Sequence, residues 1–387
     1  MRRREELDRK LLTYLFRHGP APRPELVAYT GVRAATVLES VDRLKAAGLV
    51  IEPGRHSKKT GRRAPHLECA PDHAHWVGID FNTRKTLAIR IDNCGKILDR
   101  VEICGQQRAS AEDGFAEIFK ALDILQANAK EQWSKVSGIG FSDPGTVDMD
   151  RGLSLGAVNV PGWEKLNTVK TIEEKTKLPC AIWSGEMVRA NEEYLARFTD
   201  QPQKLFHLFL DDTIGAGFIC NGDIYAGSSG HGMEIGHIVI VPNGPPCRCG
   251  NNGCLEAVAG IPAMRRRIRE FIESGVDTTL SSETFSISDL IASVRQDKTA
   301  RIIADEISEA LGTALASVVT LLNPDIIVLG GEITALGDIL LQPIRRMLEL
   351  NCFAEATKKL KLEISDLNDD DTAKGAAILM RDRILLS

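Results

Sequence analysis

No apolar run in these 387 residues approaches the roughly 20 needed to cross a bilayer. The charged opening MRRREELDRK is followed by no apolar stretch. Neither a membrane anchor nor a secretory signal is expected, and a soluble cytoplasmic protein is. Six of the nine cysteines (Cys69, Cys94, Cys104, Cys180, Cys220 and Cys352) stand without any spacing pattern. They read as small apolar core residues in a reducing compartment. At 43% hydrophobic residues the chain is globular and long enough for two or three domains.

The net charge of −5 conceals an asymmetry. Met1 to Pro65 carries 15 Lys and Arg against 7 Asp and Glu, a balance of +8. The remainder carries 33 against 46, a balance of −13. A basic head on an acidic body suggests a polyanion-binding module joined to something else. Within the head, apolar Leu7, Leu11, Leu12, Leu15 and Phe16 predict a helix over Arg4 to Arg17. A break at Gly19-Pro20 precedes a short helix from Pro24 to Tyr29, a turn at Thr30-Gly31, and a third helix from Arg33 to Ala47. Val37, Val41 and Leu44 form its inward face, while Arg33, Ala34, Thr36, Glu39 and Ser40 are expected outward. A strand over Gly48 to Glu52, a cationic loop and a return strand over His66 to Cys69 complete a winged helix-turn-helix. The loop carries Arg55, Lys58, Lys59, Arg62 and Arg63, suited to phosphates or a narrow minor groove. The competing reading is a solvated charged loop beside a helical protein-interaction module.

One run of polar residues stands out in the body: Glu234-x-x-His237, then Cys247-x-Cys249, then Cys254-Leu255-Glu256. Three thiolates and one imidazole suit a tetrahedral zinc ion with no open position, a structural rather than an exchanging site. Prolines and glycines at Pro245, Pro246, Gly250 and Gly253 let the chain fold tightly around an ion. Ordinary buried thiols with a core histidine are the alternative, but three cysteines fall within eight positions. Glu234 and Glu256 flank the site and offer acceptors for the hydroxyls of a small polar ligand. One ring nitrogen of His237 can hold metal while the other faces that ligand.

From Trp76 the texture becomes alternating strands and helices. Strands are expected from Val77 to Phe81, Thr86 to Ile91, Lys96 to Ile103, Val136 to Phe141 and Leu205 to Leu210. A helix is expected from Phe115 to Ala129. Strand-to-glycine-turn units are expected at Thr213–Gly217 and Ile326–Gly331. The fold class is α/β, with two lobes and a cleft.

These segments, with the polar run, resemble the ROK family of repressors and sugar kinases, which has an actin-like ATPase (ribonuclease H-like) fold; the winged head resembles its repressor branch. The resemblance implies a structural zinc ion on His237, Cys247, Cys249 and Cys254. It implies sugar hydroxyls held by Glu234, His237 and Glu256, with Asn159 in a Pro-Gly-Trp segment bordering the cleft. It also implies three parts: residues 1–72 as the DNA-binding head, 73–186 plus 371–387 as a first lobe, and 187–370 as a second lobe with the zinc site.

Two departures from the family's kinases matter. After Leu178-Pro179 and the strand Cys180–Trp183, the Asn-Asp pair that supplies the catalytic base falls on Ser184 and Gly185. The Asp-x-Gly-Gly-Thr-Lys phosphate loop is here Asp80-Phe81-Asn82-Thr83-Arg84-Lys85, with both glycines gone. The expectation is therefore a regulator of transcription rather than an enzyme. Its expected partners are double-stranded operator DNA, read by Arg33, Ala34 and Thr36, and a sugar or sugar derivative. A homodimer or dimer of dimers is expected; the runner-up is a sugar kinase that kept a DNA-binding head.

Overall fold

The computed structural model describes residues 2–53, 66–104, 108–157, 160–198 and 203–386. The head comprises helix α1 (Arg2–His18), strand β1 (Ala21–Pro22), helices α2 (Arg23–Thr30) and α3 (Ala34–Ala46), and strands β2 (Val50–Ile51) and β3 (His66–Cys69). Helix α2 stops at Gly31, whose φ of 65° lets its N–H reach the Val27 carbonyl before α3 begins. Leu11, Leu12, Leu26, Val37, Val41 and Leu67 form the core among these elements. β3 lies between β1 and β2. β1 is two residues long and leaves no periodic signal in the sequence. Arg33, Ala34, Thr36 and Glu39 are exposed, as expected, but Ser40 is buried. Its hydroxyl donates to the Asp8 carboxylate, which also takes two hydrogen bonds from Arg43 at 3.0 and 2.6 Å. A polar side chain thus faces inward because a carboxylate on α1 satisfies it. The wing residues Arg55, Lys58, Lys59, Arg62 and Arg63 lie outside the described residues.

The chain forms two compact units, residues 1–188 with 369–387, and residues 189–368. The first holds the head and a five-stranded sheet. Its strands are β4 (His75–Phe81), β5 (Lys85–Asp92), β6 (Ile97–Cys104), β7 (Val136–Asp143) and, after a small three-stranded sheet, β11 (Cys180–Ser184). The small sheet is β8 (Thr146–Asp148), β9 (Leu153–Gly156) and β10 (Glu164–Leu166). In the main sheet, ordered β11-β7-β4-β5-β6, β4, β5 and β6 form an antiparallel meander; β7 and β11 add parallel to β4. Helix α4 (Ala111–Ala129) covers one face, where Ile79, Phe81, Ile139 and Phe141 form a core with Ile118 and Leu125. Helices α5 (Thr168–Thr176) and α6 (Gly185–Arg197) precede and follow β11.

The second unit repeats the topology. β12 (Lys204–Leu210), β13 (Ile214–Cys220) and β14 (Asp223–Ile224) form the meander, while β15 (Ile326–Gly330) and β16 (Lys361–Ile364) add parallel beside β12. Helix α7 (Leu255–Ala259), α8 (Ile261–Glu273), α9 (Ile287–Ser293), the long α10 (Lys298–Leu322), α11 (Asp338–Asn351) and α12 (Ala354–Thr357) complete it. Gly215 and Gly217 lie inside β13 rather than in a turn, which is confined to residues 211–213. They stand opposite Phe209 and His207 on β12, leaving room for large neighbours.

Helix α13 (Asp369–Leu385) then packs on the first unit's sheet. A Cβ on Gly78 would lie 1.7 Å from the Ala373 carbonyl oxygen, and one on Gly140 1.9 Å from that of Ala376. Only glycine allows this approach. Among the described residues, no helix is long and apolar enough to cross a membrane. Gly140→Ala is expected to cost at least about 2 kcal/mol, because backbone rather than a flexible side chain must move. Gly156→Ala, whose new Cβ meets nothing closer than 4.0 Å, serves as the control. Urea unfolding midpoints for the two variants check this, and equal midpoints would refute it.

Candidate functional site

The polar run of the second unit folds into a compact loop. Ile235–His237 make a single 3₁₀ turn, closed by the His237 N–H to the Glu234 carbonyl at 3.1 Å. Cys247, Arg248, Cys249 and Gly250 form a tight turn, with Gly250 at φ 94° and the Cys247 N–H bonded to the Asn251 carbonyl at 2.8 Å. Gly253, at φ 73°, passes so close to the Val241 carbonyl that a Cβ would lie 1.7 Å from its oxygen. That crossing delivers Cys254 to His237, and the Leu255 N–H bonds to the Ile238 carbonyl at 3.0 Å.

One donor atom from each of His237, Cys247, Cys249 and Cys254 lies within 4.8 Å of all the others. Cys249 Sγ and Cys254 Sγ are 3.6 Å apart, and Cys247 Sγ is 3.6 Å from His237 Nδ1. Bonds of about 2.3 Å to sulfur and about 2.0 Å to nitrogen put tetrahedral ligands about 3.5–3.8 Å apart. The donor set therefore fits a tetrahedral metal ion, with Nδ1 facing the thiols. Burial, reinforced by the neighbouring thiols, pushes Cys254 up to about 12, whereas the Asn251 N–H lowers Cys249. A bound cation would draw those protons off.

Glu256 sits one residue inside α7, half-buried, where its Oε2 accepts the Ile214 N–H at 3.1 Å. Glu234, exposed, precedes the 3₁₀ turn that carries His237. The loop thus brings His237 and the start of α7 together and ties Glu256 to the start of β13. Asn159 lies outside the described residues.

The stretch of residues 80–85 runs from the end of β4 through the β4–β5 turn to the start of β5. Asn82 closes it: its Oδ1 accepts the Arg84 and Lys85 N–H groups, both at 3.0 Å, and its Nδ2 donates to Asp80 Oδ2 at 2.8 Å. Ser142 donates to the other Asp80 oxygen at 2.9 Å. Lys85 Nζ lies 2.6 Å from Asp369 Oδ2 and 3.5 Å from Glu102. The Arg108 guanidinium, itself buried, donates to the Asn82 carbonyl and lies over the Phe81 ring. The Arg84 and Lys85 amides are thus both satisfied by a side chain.

β11 ends at Ser184, and Gly185 opens α6. The Ser184 hydroxyl accepts the Met187 N–H at 3.4 Å, a capping contact on that helix. In the second unit Gly331, at φ 91°, crosses Leu210 so closely that a Cβ would lie 2.3 Å from its carbonyl oxygen. Gly331 therefore serves the fold itself.

Residues 76–383 match the profile of the ROK family. The chain belongs to the ROK family. A glucokinase from Halalkalibacterium halodurans is 29% identical over 79% of this chain and 94% of its own length. A putative xylose repressor from Caldicellulosiruptor sp. is 27% identical over 96% of this chain and 94% of its own. A solved ROK family transcriptional regulator, a homologue of the Escherichia coli MLC protein, superposes with a TM-score of 0.85. At 24% identity it covers 100% of this chain and 97% of that one. The fold is thus a winged helix-turn-helix followed by a two-lobed, actin-like ATPase body.

One carboxylate in this ROK body escaped the sequence reading. Asp143, at the end of β7 and opposite Ser184 in register, is fully buried. Its oxygens accept the Trp163 indole N–H and the Gly145 N–H, both at 2.9 Å. Trp163 packs against Phe81 and Phe115, so the Pro-Gly-Trp segment is anchored in the core. The sequence signal available was a lone Asp before Pro144-Gly145, which reads as a turn residue. Burial raises Asp143 to about 6, with the two N–H donors pulling the other way. The native state then holds this proton more tightly than the unfolded chain does. Its contribution to stability is complete below about pH 4 and is lost as pH rises through about 6. Relative to Asp143→Asn, the wild type should gain up to about 3 kcal/mol between pH 7 and pH 4. Denaturation midpoints of both proteins at the two pH values check this; a difference independent of pH would contradict it.

Proposed function

We propose that this chain is a DNA-binding transcriptional regulator, a repressor, that responds to a sugar or sugar derivative and has lost phosphoryl transfer. The observation that carries the reading is the closure of the β4–β5 turn by Asn82 in a chain that also bears a winged head. A carboxamide already holds the Arg84 and Lys85 amides, and Lys85 is paired with Asp369. Gly185 has no side chain to take a proton from an attacking hydroxyl. The head presents Arg33, Ala34 and Thr36 on the exposed start of α3, the part of such a helix that reaches base edges. Arg55, Lys58, Lys59, Arg62 and Arg63 would hold phosphates and set register. Two heads reading a palindromic operator call for a homodimer or a dimer of dimers.

His237, Cys247, Cys249 and Cys254 would hold a structural zinc ion, and Glu234, His237 and Glu256 the ligand's hydroxyls. The zinc supplies no chemistry beyond fixing the loop, which keeps His237 and Glu256 in place. The alternative, a sugar kinase with a DNA-binding head, is favoured by the likeness to a glucokinase. It must find another base and reopen the Asn82 turn.

Thermal-shift measurements with glucose, xylose, their phosphates and Mg-ATP separate the two. A regulator is stabilised by one of the sugars, by up to about 2.7 kcal/mol at a hundredfold excess over Kd, and ignores ATP. Stabilisation by ATP with accumulation of sugar phosphate would establish the kinase instead. In the same protein, Cys249→Ser should remove most of the zinc measured by atomic emission and lower the melting temperature; full zinc retention would refute the ligand set.

A further inference from the structure

Helix α13 meets three distinct parts of the first unit. At its start, Asp369 Oδ2 lies 2.6 Å from Lys85 Nζ, and Asp370 Oδ1 lies 2.6 Å from Arg100 Nε. Glu102 bridges the same two cations. Along its middle, the Ala373 and Ala376 carbonyls occupy the space that side chains at 78 and 140 would fill. Backbone therefore rests on backbone, and the helix cannot roll or slide without a collision.

Near its end, Arg381 is only 4% exposed. Its guanidinium carbon lies 3.8 Å from the centroid of the Phe16 ring on α1, and Nη1 donates to the Asn93 carbonyl at 3.2 Å. The Asn93 N–H bonds in turn to the Pro71 carbonyl, two residues beyond the head's last strand. Leu386 packs on the head's own core. The start of this helix is also where the chain re-enters the first unit, Asn368 being the last residue of the second.

We propose that α13 is a strut joining the β5–β6 edge of the first unit's sheet, at Lys85 and Arg100, to the DNA-reading head, with Arg381 the positioning residue that holds the head. A rigid element with fixed ends passes a displacement of one end to the other, whereas a helix anchored by flexible side chains absorbs it. Resting on the regulator reading above, the strut fixes how the head that carries Arg33, Ala34 and Thr36 is held against the first unit's sheet.

Amide hydrogen exchange on the full chain, read by mass spectrometry without DNA or ligand, tests it. Arg381→Ala should speed exchange in α1 and β3 by about fivefold or more while leaving β12 to β15 unchanged. Arg381→Lys, which keeps a cation and a donor, should fall between, and it stands in if the alanine variant fails to fold. The deciding variant lies at the opposite end. Lys85→Ala with Arg100→Ala removes both ion pairs without touching the head, yet should speed exchange in α1 by about threefold. Acceleration confined to α13's first turns and to β5 and β6 would overturn the strut. Wild-type exchange in α1 of the Arg381 variants would overturn the role of that residue. Because no DNA or sugar is present, these failures leave the regulator reading standing, and absent DNA binding leaves the strut standing.

Discussion

The backbone of α13 lies directly on the backbones of β4 and β7, and the first unit is organised around that contact. Gly78 and Gly140 make it feasible, since a single methyl at either would overlap a carbonyl oxygen. The contact fixes where Asp369 and Asp370 meet Lys85 and Arg100 at one end, and where Arg381 meets Phe16 at the other. It therefore bears on the β4–β5 turn as well. Lys85, at the start of β5, is drawn to the start of α13. Asn82 takes the neighbouring amides. The same packing that seats the helix leaves the turn satisfied within the protein.

The second unit solves a different problem. Its long segment between β14 and α7 anchors on the core through Ile235, Met233, Ile238 and Ile240, while residues 243–253 have no apolar side chain to bury except the prolines and Cys247 and Cys249. Close backbone crossings at Gly253 and the tight turn at Gly250 gather three thiols and an imidazole to tetrahedral spacing. Glu256 is then fixed from two sides, by the loop through Cys254 and by the Ile214 N–H. A metal ion would hold this arrangement more firmly than loop packing alone.

Much of this was legible in the sequence, for reasons that differ by element. The head's helices announced themselves because Leu11, Leu12, Val37, Val41 and Leu44 repeat at helical spacing and are all buried. The cluster of His237 with three thiols was visible because three of its four members fall within eight residues. What escaped depends on partners distant along the chain. Ser40 reads as outward until Asp8, on another helix, is found to accept its proton. Gly215 and Gly217 read as a turn until their register opposite Phe209 and His207 is known. Asp143 reads as a turn residue until the indole of Trp163 meets it. The stretch of residues 80–85 reads only as a motif that lost its glycines until the Asn82 carboxamide is seen to accept the Arg84 and Lys85 N–H groups and close the turn.

The measurement closest to the central claim is fluorescence anisotropy of a labelled duplex from the protein's own promoter region, across a salt series, with and without sugar. The account predicts tight binding at low salt that weakens steeply as salt rises, because basic residues displace counterions from phosphates. It further predicts that glucose, xylose or a derivative releases the duplex while ATP does not. Binding no tighter than to a scrambled duplex at every salt concentration would contradict the account.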